Sequence, residues 1–255
     1  IADILIDGKS VGVKNSYTFE NISASHTIEA QFRRVGVANP TDTGVADYLL
    51  TEQHNTYLYG YPNGSFGPNS QMTRAEAAQM FYNLLLNKDI PVITSFNDVA
   101  DGAWYAPAVN VLASLGIIKG VGNNEFAPNR AITRAEFAAI ATRFAKKDER
   151  GSAGFYDVNT NNWFYSSVLT AVNYGWINGY SDNTFRPENT ITRAEVTAIV
   201  NRMLDRAGDT AYAAAHPNAI KQFTDVSRLF WGYSDIIEAT NAHDYSRSGS
   251  KEIWQ

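Results

Sequence analysis

The sequence of 255 residues contains no cysteine, and its charged residues amount to only 18%. Without cysteine there can be no disulfide, no thiolate nucleophile and no cysteine-based zinc or iron–sulfur site. The formal net charge of −5 provides no basic field. We therefore expect neither a nucleic-acid binder nor a protein held to anionic membranes, and any bound anion must be met by local groups.

Long apolar runs are also missing, since no stretch of 18 apolar residues occurs. Residues 1–30 lack the pattern of a signal peptide. We expect no membrane span and no export signal within this segment. The abrupt start at Ile1 suggests a piece of a longer protein.

Recognisable catalytic and metal-binding motifs are absent as well. The histidines do not have the spacing of a His-Glu-x-x-His site, and there is no Gly-x-Ser-x-Gly elbow or phosphate loop. The loop around Asp182 lacks the alternating acidic ligands of a calcium loop. We therefore predict no catalytic residues, no metal and no cofactor. The histidines are His26, His54, His216 and His243.

What the sequence does contain is a repeat. The residues Thr-Arg-Ala-Glu occur three times, beginning at Thr73, Thr133 and Thr192, with starts separated by 60 and then 59 residues. Units of this length bury their apolar faces by stacking on one another. The sequence therefore predicts an array of packed repeats.

Each repeat consists of two halves, called A and B. Half A opens with Phe-x-Asp-Val and has a Trp six residues after the Asp, whereas half B runs from a Gly through Phe-x-Pro to Thr-Arg-Ala-Glu. An amphipathic helix follows in each half. The halves run B, A, B, A, B, A, so the first A half is missing and the last has no following partner. We expect the last A half to close a pseudo-threefold ring with the first B half.

The N-terminal part has a different character. Residues 4–6 and 26–32 read as strands, with a hairpin turn at Asp7-Gly8 and apolar residues at Tyr17, Phe19 and Ile22 between them. We divide the chain into a β segment (1–34), a linker (35–44), repeat one without its first half (45–90), repeat two (91–149), repeat three (150–208), an insertion with the half-repeat that completes repeat one (209–242), and a tail (243–255).

The Thr and Glu of Thr-Arg-Ala-Glu form the pattern of a capping box, in which each side chain bonds the other residue's backbone N–H. We assign this role to Thr73, Glu76, Thr133, Glu136, Thr192 and Glu195.

The Arg of the motif is less easily explained, because a cation at a helix N-terminus is disfavoured by about 0.3–1 kcal/mol. Arg74, Arg134 and Arg193 are therefore candidate anion sites, each with a guanidinium fork beside free backbone N–H donors. The alternative is a salt bridge to a neighbouring unit, for instance to the Asp of Phe-x-Asp-Val.

Two further residue types recur with the repeat. Trp104, Trp163 and Trp231 are either core anchors or surfaces on which a sugar ring stacks. An Asp ahead of a helix usually bonds local backbone N–H groups, so Asp98, Asp157 and Asp225 are expected to organise loops.

Together these motifs resemble the bacterial surface-layer homology (SLH) domain, over about residues 45–242. The resemblance implies a mainly α fold, a pseudo-threefold, three-pronged helical spindle of three repeats, here preceded by the short β segment. It also implies non-covalent attachment to the cell wall through polysaccharide that carries pyruvyl groups, with peptidoglycan-associated glycan as partner and the bacterial cell surface, in the cell wall or S-layer, as location.

The resemblance assigns the pyruvyl carboxylate to the three Arg residues, in grooves between prongs. Tyr61 and Tyr180 follow the Gly that opens half B, where repeat two has Val121, so we expect unequal grooves. The competing hypothesis is a protein-binding or self-assembling scaffold in which the same Arg residues bridge protein carboxylates.

The permuted order of the halves generates a prediction. Deletion of residues 223–242 should loosen or unfold repeat one, because its B half would lose the A half that completes it. A thermal melt compares the deletion with the intact chain, and unchanged thermal stability would rule out the closed ring.

Overall fold

The computed structural model describes residues 3–7, 9–10, 17–19, 24–31, 36–248 and 251–255. Within these ranges the protein is mainly helical, as predicted. Its helices are α1 (Pro40–Thr43), α2 (Arg74–Leu84), α3 (Ala106–Ser114), α4 (Arg134–Thr142), α5 (Tyr165–Asn173), α6 (Arg193–Met203), α7 (Thr210–Ala215) and α8 (Tyr233–Thr240), with a 3-10 turn at Val45–Asp47. Its strands are β1 (Asp3–Ile6), β2 (Lys9–Ser10), β3 (Ile28–Gln31), β4 (Tyr245–Ser248) and β5 (Lys251–Trp254).

The strands form two small antiparallel sheets. At the N-terminus β1 lies between β2 and β3, in agreement with the predicted strands at residues 4–6 and 26–32. Ile22 and Phe32 lie outside the described residues. The second sheet is the hairpin of β4 and β5 at the C-terminus, which the sequence patterns did not indicate.

The helices pack in three pairs, α2 with α3, α4 with α5, and α6 with α8. In each pair a B-half helix contacts the helix of the A half that follows it in the chain. The apolar positions that align between repeats all face inward, as at Met80, Ile140 and Ile199, which are at most 6% exposed. No helix of the described residues is long and apolar enough to cross a membrane.

A closed cycle of backbone hydrogen bonds joins the three repeats at the centre. The N–H of Met72 donates to the carbonyl of Ile191 (3.0 Å), that of Ile191 to Ile132 (3.1 Å), and that of Ile132 to Met72 (2.9 Å). Such a cycle requires three equivalent segments around one axis. The pseudo-threefold arrangement is therefore present in the backbone itself, and none of the three repeats is terminal.

The last A half contacts the first B half through its Asp. The carboxylate of Asp225 accepts hydrogen bonds from the N–H groups of Phe66 and Gly67, both at 2.8 Å. Asp98 and Asp157 make the equivalent pairs of bonds to the B loops of repeats two and three. The chain thus brings residues about 160 positions apart into the contact that its other repeats make locally.

A glycine makes this contact possible. A Cβ on Gly60 would lie 2.3 Å from the ring of Phe223, so any larger residue would push the two halves apart. Gly179 lies against Phe155 in the same way, with 2.1 Å to an added Cβ. The invariant position of this Gly within half B is therefore explained by close packing on the Phe of half A.

Substitution of Asp225 tests how much this contact stabilises the ring. We expect Asp225→Ala to lower the free energy of unfolding by about 2–4 kcal/mol, because two charge-assisted bonds to backbone N–H groups are lost. Denaturant unfolding measures the change. The exposed Asp101 provides the control as Asp101→Ala, and equal stability of the two variants would contradict the role given to Asp225.

Candidate ligand-binding grooves

Each of α2, α4 and α6 begins with a capping box. At α6 the N–H of Glu195 donates to the hydroxyl of Thr192 (3.3 Å), and the N–H of Thr192 donates to the carboxylate of Glu195 (2.9 Å). The same exchange occurs at the start of α2 and of α4. The backbone N–H of the third helical residue, which has no partner within the helix, is therefore bonded to the Thr of the same motif.

The first two N–H groups of these helices are occupied as well, which corrects one expectation. The N–H groups of Arg74 and Ala75 donate to the carbonyls of Arg130 and Pro128, both at 2.9 Å, and equivalent bonds are made at α4 and α6. The prediction that each helix start offers free backbone N–H donors to an anion is therefore wrong. The loop of a neighbouring repeat fills that position because the three repeats close on one another.

The three Arg side chains form a second cycle around the same axis. Arg74 pairs with Glu136 (3.5 Å), Arg134 with Glu195 (3.0 Å) and Arg193 with Glu76 (3.4 Å), in each case between Nη1 and Oε1. The salt bridge to a neighbouring unit is thus present, although its partner is the capping Glu and not the Asp of Phe-x-Asp-Val. A neighbouring carboxylate offsets the unfavourable position of each Arg at a helix start.

Carbonyl groups take up most of the remaining Arg donors. Nε of Arg74 donates to Phe126 O and Nη2 to Lys119 O, both at 2.7 Å. Arg193 makes the same two bonds to Phe66 and Tyr59. In Arg134, Nε donates to Phe185 O, but among the described residues Nη2 has no carbonyl partner of this kind. Arg134 therefore keeps a spare donor.

These guanidinium groups are nearly buried, with 3–6% of the side chain exposed. Burial lowers the pKa of Arg74, although the neighbouring Glu136 opposes the shift. For Glu136 burial raises the pKa, but hydrogen bonds from Arg130 and from the N–H of Thr133 outweigh it, so the pKa lies below its ordinary value. The pair of Arg74 and Glu136 is therefore ionised, and the Arg–Glu pairs form the floor of surface grooves.

Groove 1 lies above Arg74 and Glu136. Its walls include Lys119, Arg143 and Trp163. Arg143 donates from Nη1 to the carbonyl of Ile117, which holds the side chain along the wall. Three cations and one carboxylate line this groove.

Groove 2 lies above Arg134 and Glu195, with Tyr180, Arg202 and Trp231 on its walls. The hydroxyl of Tyr180 donates to Glu195 (3.1 Å), and its ring lies 4.9 Å from the guanidinium of Arg134. Arg202 donates to the carbonyl of Trp176, as Arg143 does to Ile117 in groove 1.

The Trp residues are exposed, so the alternative of core anchors is wrong. Trp104, Trp163 and Trp231 are 61%, 64% and 61% accessible. Trp163 and Trp231 lie on the walls of groove 1 and groove 2, where they are exposed to solvent. Their arrangement beside cations is suited to sugars that carry a negative charge.

Groove 3 is the equivalent position at Arg193, which pairs with Glu76, and the hydroxyl of Tyr61 donates to the same carboxylate. By the alignment of the repeats, Asn83 and Trp104 belong to this groove. Asn83 replaces Arg143 and Arg202 of the other two grooves, nine residues after the Arg of the motif. Its amide accepts a hydrogen bond from Gln79 (2.9 Å), where grooves 1 and 2 have a small Ala at the equivalent position. The wall of groove 3 therefore lacks the Arg of the other two grooves and has the larger Gln79 where they have Ala.

The replacement of Tyr by Val121 falls in groove 1. Tyr61 and Tyr180 each donate a hydrogen bond to the capping Glu of their groove, and in groove 1 Arg130 contacts Glu136 instead. This exchange adds a positive charge to groove 1. The recurrence of Arg143 and Arg202 nine residues after the motif was a signal in the sequence that the motif-based reasoning missed.

The buried Arg pairs generate a stability prediction. Arg193→Ala should lower the free energy of unfolding by about 3–5 kcal/mol, since two carbonyl groups would be buried without their donor and Glu76 would lose its cation. Arg202→Ala, on the same helix but on the groove wall, should cost much less. Denaturant unfolding of both variants checks the difference, and equal losses would show that Arg193 is not held as described.

Comparisons with known proteins agree with this architecture. The profile of the S-layer homology domain matches residues 55–78, 95–138 and 154–197. The chain is 36% identical to the cellulosome-anchoring protein of Acetivibrio thermocellus over 207 residues, which are 76% of this chain and 44% of that protein. It is 34% identical to the surface-layer 125 kDa protein of Lysinibacillus sphaericus over 158 residues, 60% of this chain and 13% of that protein.

An enzyme is also among the relatives. The amylopullulanase of Thermoanaerobacterium thermosulfurigenes is 36% identical over 168 residues, 63% of this chain and 9% of that protein. The chain thus spans less than half the length of these curated relatives. The matched repeats, the two central cycles and the paired helices lead to one assignment: the chain belongs to the S-layer homology domain family and carries three tandem repeats of it.

Proposed function

We propose that this chain anchors a longer protein to the bacterial cell wall by binding an anionic wall polysaccharide in groove 1 and groove 2. The observation that carries the proposal is an exposed Trp beside arginine side chains in both grooves. The names of the relatives, an anchoring protein and a surface-layer protein, support the same role. The location that follows is extracellular, at the cell wall or S-layer.

The chemistry of the grooves favours a sugar that carries a carboxylate. The C–H face of a pyranose ring stacks on an indole such as Trp231, while a carboxylate on the same sugar reaches Arg202 and the spare Nη2 of Arg134. A pyruvyl ketal places a carboxylate at the edge of a sugar ring in this way. A neutral sugar would leave the excess positive charge of groove 1 without a partner.

The Arg residues of the motif act from the groove floor in this proposal. Because Arg74 is fully engaged with Glu136 and two carbonyls, it contributes a fixed positive potential more than a free fork. Arg134 contributes both, since one of its terminal nitrogens has no carbonyl partner in the part of the chain that the structure describes. Arg193 lies in groove 3, where Asn83 and Gln79 reduce both charge and space, so we propose that groove 3 binds the glycan weakly.

The proposed role is non-catalytic. The name amylopullulanase describes the whole of that relative, and this chain matches only 9% of it. The cargo that the chain anchors lies outside the matched region.

The rival function is a protein scaffold in which the same grooves bind protein carboxylates. A co-sedimentation assay with purified cell walls distinguishes the two functions. If the protein pellets with the walls, and no longer does so after pyruvate is removed from the polysaccharide, the result supports the anchor and its contact with the carboxylate. Binding that survives removal of pyruvate would contradict that contact. No binding to any wall preparation would favour the scaffold.

Variants of the groove walls test the assignment of sites. We expect Arg143→Ala and Arg202→Ala each to weaken binding to its groove by about 10-fold to 100-fold, since a charge-assisted bond to the carboxylate is lost. Calorimetric titration with a purified pyruvylated fragment measures the affinity and the number of sites. Asn83→Ala in groove 3 is the matched control and should leave the tight sites unchanged. An equal effect of all three changes would refute the proposed difference between grooves.

A further inference from the structure

A cluster of four ionisable side chains lies away from the grooves, where the first B half meets the C-terminal hairpin. It consists of His54, Glu238, His243 and Glu252, and one ligand atom from each lies within 4.8 Å of all the others. His54 precedes the first B half, Glu238 is in α8, His243 follows α8, and Glu252 is in β5. No groove residue belongs to this cluster.

Four of the distances within the cluster are close to those of a coordination shell. Nδ1 of His54 lies 2.9 Å from Nε2 of His243, 3.0 Å from Oε1 of Glu238 and 3.6 Å from Oε2 of Glu252. Nε2 of His243 lies 3.4 Å from Oε2 of Glu238. Four ligands about 2.0–2.1 Å from a tetrahedral metal ion are separated by about 3.3–3.4 Å from one another. The four observed distances, 2.9, 3.0, 3.4 and 3.6 Å, lie on both sides of this value.

The carboxylates of the cluster are buried and lack hydrogen-bond donors. The side chain of Glu238 is 0% exposed and that of Glu252 is 2% exposed. Among the described residues, neither oxygen of Glu238 nor Oε2 of Glu252 receives a hydrogen bond. Buried carboxylate oxygens without donors are costly, so a positively charged partner is expected between them.

Surrounding groups hold the ligands in the orientation that metal binding requires. Nδ1 of His243 donates to the carbonyl of Asn241 (3.0 Å), which leaves the lone pair of Nε2 facing the cluster. Oε1 of Glu252 accepts from Arg247 (3.1 Å), which turns Oε2 inward. Such bonds to the outer atoms of the ligands are a regular feature of metal sites.

Aromatic rings fix the two imidazoles. Tyr245 stacks on His54 with 3.9 Å between ring centroids, and Trp254 stacks on His243 with 3.7 Å. A surface depression lined by Glu52, Gln53 and Asp244 also borders His54 and His243.

We propose that His54, Glu238, His243 and Glu252 bind a structural zinc ion. Two imidazole nitrogens with two carboxylate oxygens in tetrahedral arrangement suit Zn²⁺, whereas Mg²⁺ and Ca²⁺ prefer sites made of oxygen ligands with higher coordination numbers. All four ligands come from the protein, which is typical of a structural site.

The alternative occupant is a proton shared within the cluster. Burial raises the pKa of Glu238 to about 7 and that of Glu252 to about 8, and it lowers the pKa of His54 to about 3. A single proton shared by His54 with either His243 or Glu238 leaves the other inward-facing carboxylate oxygens without a donor. A single divalent cation binds all four ligands at once. Arg206 is close enough to influence these pKa values, but its hydrogen bonds go to the carbonyls of Leu50 and Gln53.

A zinc ion here would act as a clasp on the closed ring. The N–H of His243 donates to the carbonyl of His54 (3.2 Å), and the N–H of Tyr57 donates to that of Ala239 (3.1 Å), so the cluster lies where the chain's last half-repeat joins its first. The two histidines are 189 positions apart, so the site forms only when the ring is closed, and the free energy of zinc binding adds to that of folding.

The test uses the 255-residue protein after metal removal, with Zn²⁺ alone as the probe. Calorimetric titration should show a single ion per chain. His243→Gln and Glu252→Gln should each weaken the affinity by more than about 100-fold. The exposed His216 lies outside the cluster, so His216→Gln should bind as the unmodified chain does. Excess Zn²⁺, about a thousand times the Kd, should raise the melting temperature by roughly 10 °C.

Substitution of Co²⁺ for Zn²⁺ provides a readout that needs no variant. Intense visible absorption bands of tetrahedral Co²⁺ would support the site even if a variant failed to fold, and a weak octahedral spectrum would overturn it. No Zn²⁺ binding by the unmodified chain, or unchanged affinity in a folded His243→Gln, would also overturn the proposal.

Discussion

The closed cycle at the centre of the molecule is the constraint on which the rest depends. Each repeat donates a backbone hydrogen bond to one neighbour and accepts one from the other, and the Arg of each Thr-Arg-Ala-Glu pairs with the capping Glu of the next repeat. Because both cycles need all three members, each repeat stabilises the position of the other two. The helices then extend outward in pairs, and the grooves are the spaces between them.

This constraint explains why an Arg is found at the start of a helix, where the macrodipole opposes it. The charge is compensated by a carboxylate and carbonyls from other repeats, such as Glu76 and Phe66 around Arg193. The buried pair in turn keeps a positive potential beneath each groove. One side chain thereby connects the stability of the ring to the charge of the surface that we propose binds a glycan.

The permuted order of half-repeats has a structural consequence at the ring's last joint. Two of the A–B contacts are local in sequence, whereas the third joins Asp225 to the loop at Phe66 across most of the chain. Closing so long a loop costs more conformational entropy than closing the short ones. The proposed zinc site at His54 and His243 lies at this joint, so an ion that binds only the folded chain would stabilise the closed ring there.

The sequence by itself determined the repeat, its period, the capping boxes and the inward-facing apolar positions, since these follow from local spacing and helix geometry. It also allowed the mainly α fold to be predicted through the family's motifs. Only the tertiary structure decided that the N-terminal N–H groups are filled, that Arg74, Arg134 and Arg193 pair with Glu of another repeat, and that the three Trp residues are exposed. It alone brought His54 to His243. These outcomes depend on contacts between segments 45 to 189 residues apart, and the chain's local pattern contains no information on which distant carbonyl or carboxylate will lie beside a given donor.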